Sequence, residues 1–229
     1  MTTKRIICSV LSMIMVFSLS LSSIAAGYAS SDTGENFVTD EMISESSERV
    51  KEMIAEGEMI RRTRAQQKKL SVPLLYQDDS RWANVTIPGC GNTYGKVGCA
   101  ITCYAMMSRY FGNSSETPVT FGQKYYNKYG NPCNQNASKA AAIMGKSATS
   151  APSMSTSSLE NFIISSIDKG KPVIIYTNKF GSHYITAYGY YITSEGNATI
   201  YIRDPESYDS GTTLSDYKNY TKKSAVSIG

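Results

Sequence analysis

The chain has 229 residues, of which 41% are hydrophobic and 18% are charged. This composition is too apolar for a disordered protein, and the length suits one globular domain with additional segments. The net charge is +4, with bases and acids well mixed after Leu70, so the sequence lacks the basic footprint of a nucleic-acid-binding protein.

The first element in chain order is a secretory signal peptide over residues 1–29. Lys4 and Arg5 precede an apolar run that ends near Leu21, and small residues follow up to Ala29, where we predict cleavage. A transmembrane anchor is the alternative, but the run contains serines and is shorter than the ~20 apolar residues that span a bilayer. We therefore expect a protein that is secreted or associated with the cell wall, with no stable membrane insertion after signal removal.

Residues 30–70 are polar, and their charge is unevenly distributed. Residues 30–60 contain nine acids and two bases, whereas residues 61–69 contain five bases and no acid. Apolar residues at helix-like intervals, among them Val50 and Met53, predict a weak amphipathic helix. The segment is either a helical pro-segment or a plain linker.

The globular domain is predicted to cover residues 71–229, and it opens with a short strand over Val72–Tyr76. Apolar spacing then predicts a mostly buried helix from Cys99 to Phe111, closed by Gly112 and Asn113. Cys99 therefore falls at a helix N-terminus. Two shorter helices are predicted downstream, over Phe121–Tyr129 and Ser138–Met144.

The second half of the domain predicts a longer helix followed by a sheet. Ser157 and Ser158 are the expected caps of a helix that runs through Lys169 and ends at Gly170. Because strands adjacent in sequence usually pair, the next three segments predict an antiparallel meander: Pro172–Thr177, His183–Thr193 and Ala198–Arg203. This order predicts an α+β fold in which the helix that begins at Cys99 packs on an antiparallel sheet.

Four cysteines remain once the signal peptide, with Cys8, is removed: Cys90, Cys99, Cys103 and Cys133. An exported protein with four cysteines ordinarily forms two disulfides. If Cys99 is a nucleophile it must stay free, and the other three permit at most one bridge. The cysteine count is compatible with both interpretations.

His183 is the single histidine of the chain, so an imidazole base for a cysteine nucleophile has one candidate position. A thiol pKa falls from about 8.5 toward about 3.5–7.5 at a helix N-terminus beside a protonated imidazole, and Cys99 has the first of these by position. Asp204, at the end of the next strand, is the best-placed acceptor to orient the ring of His183. These three segments predict nucleophile, base and orienting residue.

Each of these residues also has a structural interpretation. A histidine in a tyrosine-rich strand is often half-buried packing, a cysteine in a helix is usually core, and Asp-Pro often begins a turn. A metal site at Cys99 and Cys103 is disfavoured, because two thiols and one histidine lack the fourth ligand of a closed zinc site. We expect no metal and no cofactor.

The sequence resembles a known family, the family thirty-nine-like cysteine peptidases of papain-like fold, related to the double-glycine leader peptidases of bacteriocin exporters. The resemblance extends from about Val72 to Pro205. The segments that carry it are Val72–Asp79 with Trp82, Gly98–Thr102 with Ala105 and Met106, Gly170–Val173, His183–Tyr190, and Asp204–Pro205.

The resemblance implies a role for each matched position. Cys99 is the implied nucleophile, His183 the general base and acid, and Asp204 the orienting carboxylate. Gln77 matches the family glutamine whose side-chain amide helps to form the oxyanion hole. The chain departs from the family at Ala100–Ile101, where Gly-Pro is usual, and at Cys103.

The residues and the resemblance together predict a secreted bacterial thiol peptidase that hydrolyses peptide bonds through an acyl-enzyme. Its expected partner is a peptide or protein substrate, including cell-wall peptide. Two alternatives stay open: a peptidoglycan amidase or transpeptidase on the same fold, and a non-catalytic surface module. If residues 30–70 are a pro-segment rather than a linker, we expect them to cover the catalytic groove until the chain is cut near Arg61–Arg62 or Lys68–Lys69.

Overall fold

The computed structural model describes residues 44, 46–53, 65–208 and 210–229. The chain divides into two compact units, Met1–Ile54 and Ala55–Gly229. The predicted signal peptide over residues 1–29 and the predicted cleavage site at Arg61–Arg62 lie outside the described residues.

In the first unit, residues 46–53 are helical. Glu48 and Lys51, one turn apart, form an ion pair of 2.7 Å across the exposed surface of this helix. A helix is therefore present where the sequence predicted one, and its role as pro-segment or linker stays a prediction.

The second unit contains a six-stranded sheet in which every pair of neighbouring strands is antiparallel. Its order is β1-β4-β3-β6-β2, and β5 pairs with β4 off this path. The strands are β1 (Gln66–Lys69), β2 (Ala148–Ser150), β3 (Val173–Thr177), β4 (His183–Ile192), β5 (Ala198–Arg203) and β6 (Lys222–Ile228).

Five helices accompany the sheet: α1 (Tyr94–Val97), α2 (Cys99–Tyr110), α3 (Pro118–Tyr129), α4 (Ala137–Ile143) and α5 (Thr156–Asp168). Short 3₁₀ helices occupy Pro132–Asn134, Lys179–Gly181 and Leu214–Tyr217. The predicted α+β class is confirmed, as is the antiparallel meander of β3, β4 and β5.

The predicted strand over Val72–Tyr76 is wrong, because this segment pairs with no strand. Leu70 makes the last ladder bond, from its N–H to the carbonyl of Tyr188 at 2.8 Å, and Pro73 has no N–H to continue the ladder. Val72 and Leu75 are buried in the core. The apolar pattern of this segment therefore reflected burial without strand pairing.

The sheet instead begins within the predicted linker. Residues Gln66–Lys69, inside the 30–70 segment, form β1 and pair with the second half of β4. Lys68 further donates through its Nζ to the carbonyl of Asp168 at 2.7 Å, which ties β1 to the end of α5. Cleavage at Lys68–Lys69 would remove this strand from the sheet.

Three helix starts differ from the prediction. Helix α4 begins at Ala137, one residue before the predicted start at Ser138. Helix α5 begins at Thr156 with Ser155 in the N-cap position, two residues before the first predicted cap, Ser157. Helix α3 begins at Pro118, because Thr117 and Thr120 form a capping box there and proline is favoured in the first turn. The helix from Cys99 runs to Tyr110, close to its predicted end.

Helix α2 packs directly on the sheet, as predicted. The thiol of Cys103 donates to the carbonyl of Tyr184 in β4 at 3.4 Å. Large aliphatic side chains of helix and sheet, including Ile101, Met106 and Ile185, are almost fully buried. Burial stabilises the fold by about 1.5–3 kcal/mol for each such side chain, so α2 is fixed firmly against β4.

The C-terminal end of α2 is fixed by a buried carboxylate. Glu116, 2% exposed, accepts a hydrogen bond from Ser108 of α2 at 3.0 Å and pairs with Lys124 of α3 at 2.7 Å. A buried carboxylate needs such partners, so these contacts lock α2 and α3 together. None of the helices in the described ranges has both the length and the apolar character needed to cross a bilayer.

Candidate active site

Cys99 is the first residue of α2 and lies just below the protein surface, with 8% of the residue exposed. As the first residue of a helix, its backbone N–H has no carbonyl acceptor within the helix and points toward the helix N-terminus. The positive end of the helix dipole favours negative charge at this place. Local electrostatics therefore suit a thiolate at Cys99 and an oxyanion next to it.

Gly98 sets the position of Cys99. A Cβ atom on Gly98 would lie 2.3 Å from the carbonyl oxygen of Tyr94, because α1 and α2 meet here almost without a connection. This position therefore accepts glycine and no larger residue. The structural reason is the close approach of the protein's own backbone, at a negative φ of −82°.

His183 is the first residue of β4 and is 2% exposed. Its partner across the ladder is Thr177, the last residue of β3. The Nε2 atom lies 2.6 Å from Oδ1 of Asp204, and the side chain of Cys99 is close enough to raise the pKa of the ring. Because Nε2 is engaged by Asp204, the nitrogen that faces Cys99 is Nδ1.

Asp204 follows the last residue of β5, and antiparallel pairing brings this strand end beside the start of β4. Its Oδ1 also accepts the N–H of Glu206 at 2.9 Å. Its Oδ2 accepts the hydroxyl of Tyr217 and lies 3.8 Å from Nζ of Lys179. Both oxygens are thus held, which fixes the orientation of the carboxylate toward His183.

Opposing effects act on the pKa of His183. Burial, the largest single contribution, lowers it, whereas the hydrogen bonds and negative charges of Asp204 and Cys99 raise it. The net result is a pKa raised from 6.5 to about 9. His183 is therefore protonated at neutral pH and can act as a proton donor there.

Gln77 reaches the same site from the loop after Val72–Tyr76. Its backbone N–H donates to the carbonyl of Pro205 at 2.7 Å, and its Nε2 donates to the carbonyl of Gly95 at 3.0 Å. The Oε1 atom is buried and has no hydrogen-bond partner among the described residues. These contacts hold the amide at the surface of the groove that contains Cys99.

The groove beside Cys99 has a volume of about 620 Å³. Gln77, Cys99 and Ala100 form part of its surface. Its other lining residues include the aromatic side chains of Phe180, Tyr184 and Tyr208 and the charged side chains of Lys96 and Glu206. Such a groove is large enough for several residues of an extended peptide.

The four described cysteines are either paired in a disulfide or free thiols. Cys90 and Cys133 form a disulfide with their Cα atoms 5.8 Å apart, while Cys99 and Cys103 are free. Cys103 is completely buried, and this burial raises the pKa of its thiol. Cys99, in contrast, lines the groove.

The structure thus brings together all four residues that the sequence singled out: Gln77, Cys99, His183 and Asp204. Within the described ranges, no group of three or more His, Cys, Asp and Glu side chains has the arrangement of a metal site.

Sequence reasoning did not identify the residues that hold Asp204. Lys179, 3% exposed, and Tyr217, fully buried, both approach its Oδ2. Tyr217 lies in the tail after Pro205, to which no element had been assigned. Lys179 lies four positions before His183, but a lysine in a loop ordinarily signals solvent exposure, so the sequence offers little sign of its burial.

Comparison with known families gives one match. A family model described as Peptidase_C39 like family matches residues 69–227, more than half of the chain. The matched region contains the four residues of the site and the whole groove. A search of curated proteins finds no match to the chain.

Proposed function

Because the chain belongs to the Peptidase_C39-like family, we propose that it is an exported cysteine endopeptidase that hydrolyses peptide bonds through a covalent acyl-enzyme. Membership of the family suggests cysteine-peptidase activity. Family membership alone does not give the catalytic residues, the acyl-enzyme or the export. The support for each of these comes from the residues of this chain.

In the proposed reaction, Cys99 supplies the nucleophile. The thiolate sulfur attacks the carbonyl carbon of the scissile peptide bond, and the carbonyl oxygen becomes an oxyanion. When the C–N bond breaks, protonated His183 gives its Nδ1 proton to the leaving amine. Neutral His183 then takes a proton from water, whose oxygen attacks the carbonyl carbon of the thioester. The C–S bond breaks, which releases the carboxylic acid and restores the Cys99 thiolate beside protonated His183.

The oxyanion has two candidate donors at this site. The backbone N–H of Cys99 is free of an intrahelical acceptor, and Nε2 of Gln77 carries a second hydrogen beside the one donated to Gly95. Donors held in place before reaction stabilise developing charge without reorganisation. Gln77 is fixed through its backbone and its side chain, which suits this role.

The observation that carries the proposal is the position of His183 between Cys99 and Asp204, at the edge of a groove. The ring is hydrogen-bonded to Asp204 through Nε2, and the free thiol of Cys99 is close enough to raise the pKa of the ring. A non-catalytic module would have no need for a free thiol aligned with the only histidine of the chain. The arrangement therefore favours nucleophilic catalysis over a purely structural role.

Two features support export to an oxidising compartment. The segment 1–29 has the sequence of a signal peptide, and Cys90 and Cys133 form a disulfide, a bond that persists mainly outside the cytosol. We extend the proposal to a papain-like arrangement, since the nucleophile begins a buried helix and the base lies on an antiparallel sheet packed against it.

The matched pair Cys99→Ala and Cys103→Ala tests the mechanism. Both cysteines lie on α2 one turn apart and both are free, but only Cys99 lines the groove. The chain without residues 1–29 is incubated with a peptide library and, separately, with purified cell wall, and the products are identified by mass spectrometry. We expect wild type and Cys103→Ala to cut peptide bonds and Cys99→Ala to be inactive.

Full activity of Cys99→Ala would overturn the mechanism. Release of cell-wall fragments with no cleavage of library peptides would identify a peptidoglycan amidase instead. Activity of neither kind in any variant, with the fold intact by circular dichroism, would favour a non-catalytic surface module.

A further inference from the structure

One side of the groove is formed by Phe180, Glu206 and Tyr208, which we call the acidic aromatic wall. Phe180 and Tyr208 are 54% and 63% exposed, and their ring centroids lie 6.1 Å apart. Two large aromatic rings that face solvent together are costly unless something covers them. Their exposure at the groove indicates a surface that binds a ligand.

Glu206 adds a carboxylate to the same surface. Its side chain is almost fully buried yet lines the groove, and its Oε1 accepts the N–H of Ser207 at 3.2 Å. Asp78 lies close by and accepts the hydroxyl of Ser207. Burial and the negative charge of Asp78 raise the pKa of Glu206, whereas the N–H of Ser207 and the charge of His183 lower it by less.

Three other carboxylates of the domain have cationic partners. Asp79 pairs with Arg81 at 2.6 Å, Glu116 with Lys124 at 2.7 Å, and Asp204 with Lys179 at 3.8 Å. Across residues 65–208 and 210–229, no lysine or arginine forms a salt bridge with Asp78 or Glu206. A cation brought by a ligand would supply the missing charge.

One oxygen of the half-buried Asp78 provides a second sign of an unfilled site. Its Oδ1 atom is buried and has no hydrogen-bond partner in the described part of the chain. Gln77, 4% exposed and part of the groove surface, likewise has an unpartnered Oε1. Buried acceptors without donors are rare, so donors on a bound ligand fit this region.

The wall lies on the side of the groove where the amine leaves. His183 donates the proton to the leaving amine, so the residue that follows the scissile bond must lie next to its ring. Phe180 contacts that ring with a centroid distance of 5.7 Å, and the N–H of Glu206 is bonded to Asp204. Lys96 also lines the groove, but it belongs to α1, and no residue of α1 is part of the acidic aromatic wall.

From this geometry we propose that the acidic aromatic wall binds a lysine or arginine side chain of the substrate, on the leaving-group side of the scissile bond. This inference rests on the proposed peptidase function. Aromatic faces attract ammonium and guanidinium groups, and a carboxylate at the base of the wall receives their N–H donors. Phe180 and Tyr208 would at the same time cover the methylene stem.

The test uses internally quenched peptides that differ only after the scissile bond, with lysine, arginine, norleucine or glutamate there. Norleucine keeps the stem of lysine and removes the charge. We expect kcat/KM to be at least about tenfold higher for lysine than for norleucine, because a hydrogen-bonded charge contributes more than 1.4 kcal/mol in such a setting. Glu206→Gln should reduce this ratio to about one, whereas Glu195→Gln, in the turn after β4, should preserve it.

Binding is measured separately with Cys99→Ala, which holds substrate without turnover. Dye-labelled hexapeptides with lysine or norleucine are titrated by fluorescence anisotropy, and lysine should bind more tightly only while Glu206 is present. Cleavage with no preference for lysine, or a preference unchanged in Glu206→Gln, would overturn the inference and leave the peptidase proposal intact. If no peptide is cut, the peptidase proposal fails, and equal binding of the two hexapeptides would then overturn the wall as a cation site too.

Discussion

His183 Nε2 and Asp204 Oδ1 lie 2.6 Å apart, in two residues that are each 2% exposed. A charged hydrogen bond so far from solvent is screened very little, so the carboxylate strongly favours the protonated ring. The other ring nitrogen faces Cys99. The protonation state of His183, and with it that of the site, therefore depends on its buried hydrogen bond to Asp204.

The first prediction concerns the pKa of His183. Since the chain contains one histidine, its Hε1 proton gives a single imidazole resonance in a protein purified without a histidine tag. We expect this resonance to titrate near pH 9 in the wild type and at lower pH in Asp204→Asn, which loses the charge that raises the pKa. Asp168→Asn, a change of the same type at the end of α5, should leave the titration unaltered. A wild-type midpoint near 6.5 would contradict the assignment.

The second prediction is a loss of stability in alkaline solution. The folded pKa of His183 is about 9 and its ordinary value is 6.5, so the folded state holds a proton that the unfolded state releases between these values. The stabilisation is complete below pH 6.5 and disappears as the pH rises through 9. One pKa unit corresponds to about 1.4 kcal/mol, so the free energy of unfolding should fall by on the order of 3 kcal/mol across this window.

Urea denaturation at pH 6 and at pH 9.5 measures this difference, with His183→Gln as the comparison. The variant lacks the titrating ring, and its stability should change less over the same interval. An equal fall in both proteins would assign the effect to other groups.

The third prediction separates the two free thiols. Cys99 lines the groove, whereas Cys103 is completely buried and has a raised pKa, so few thiolates form there. Iodoacetamide should modify the native protein at Cys99 at least about tenfold faster than at Cys103. Intact mass measurement of the chain without residues 1–29 should show one addition in the wild type and in Cys103→Ala, and none in Cys99→Ala. Preferential labelling of Cys103 would be incompatible with the fold.

The fourth prediction concerns the disulfide that closes the chain around α2. Cys90 and Cys133 are 43 residues apart in sequence, and the loop between them contains the whole nucleophile helix. Removing the bridge in the double variant Cys90→Ser/Cys133→Ser should lower the free energy of unfolding by about 2–4 kcal/mol, since the open chain gains entropy on unfolding. Denaturation of both proteins measures the difference. Four reactive thiols in the unfolded, unreduced wild type would show that the bridge is absent.

The placement of Cys99 and His183 could be predicted from sequence because both lie at ends of regular elements. Apolar spacing located the start of α2 at Cys99, and alternating strands located His183 and Asp204 at neighbouring strand ends. Pairing between adjacent antiparallel strands then brings the last two together without further information. Local patterns were sufficient for these positions.

Other parts of the fold depend on contacts between distant segments. The strand β6 lies between β3 and β2, and its short mixed sequence has no strong alternation that would reveal it. In the segment Val72–Tyr76, Val72 and Leu75 are buried while Leu74 and Tyr76 are exposed, and burial of alternate residues alone does not imply a ladder. Lys179 and Tyr217 acquire their roles only through Asp204, which is remote from both in local sequence terms.

The last prediction addresses Gln77, whose proposed role came from the family resemblance. Its Nε2 is held by the carbonyl of Gly95 at 3.0 Å, and its backbone is held by Pro205, so the amide is prepared before substrate binds. A donor that acts only on the oxyanion stabilises the transition state more than the ground state. Gln77→Ala should therefore lower kcat by about 10²–10³-fold while KM changes little.

The control for this variant is Gln123→Ala, on the exposed surface of α3, where the side chain contacts only Asn127 in the same helix. Gln77→Glu gives a sharper comparison, because it keeps the shape of the side chain but replaces the N–H donor with a negative charge that repels the oxyanion. It should be at least as impaired as Gln77→Ala. If either variant raises KM and leaves kcat intact, Gln77 binds the substrate in its ground state, and the oxyanion depends on the amide of Cys99 alone.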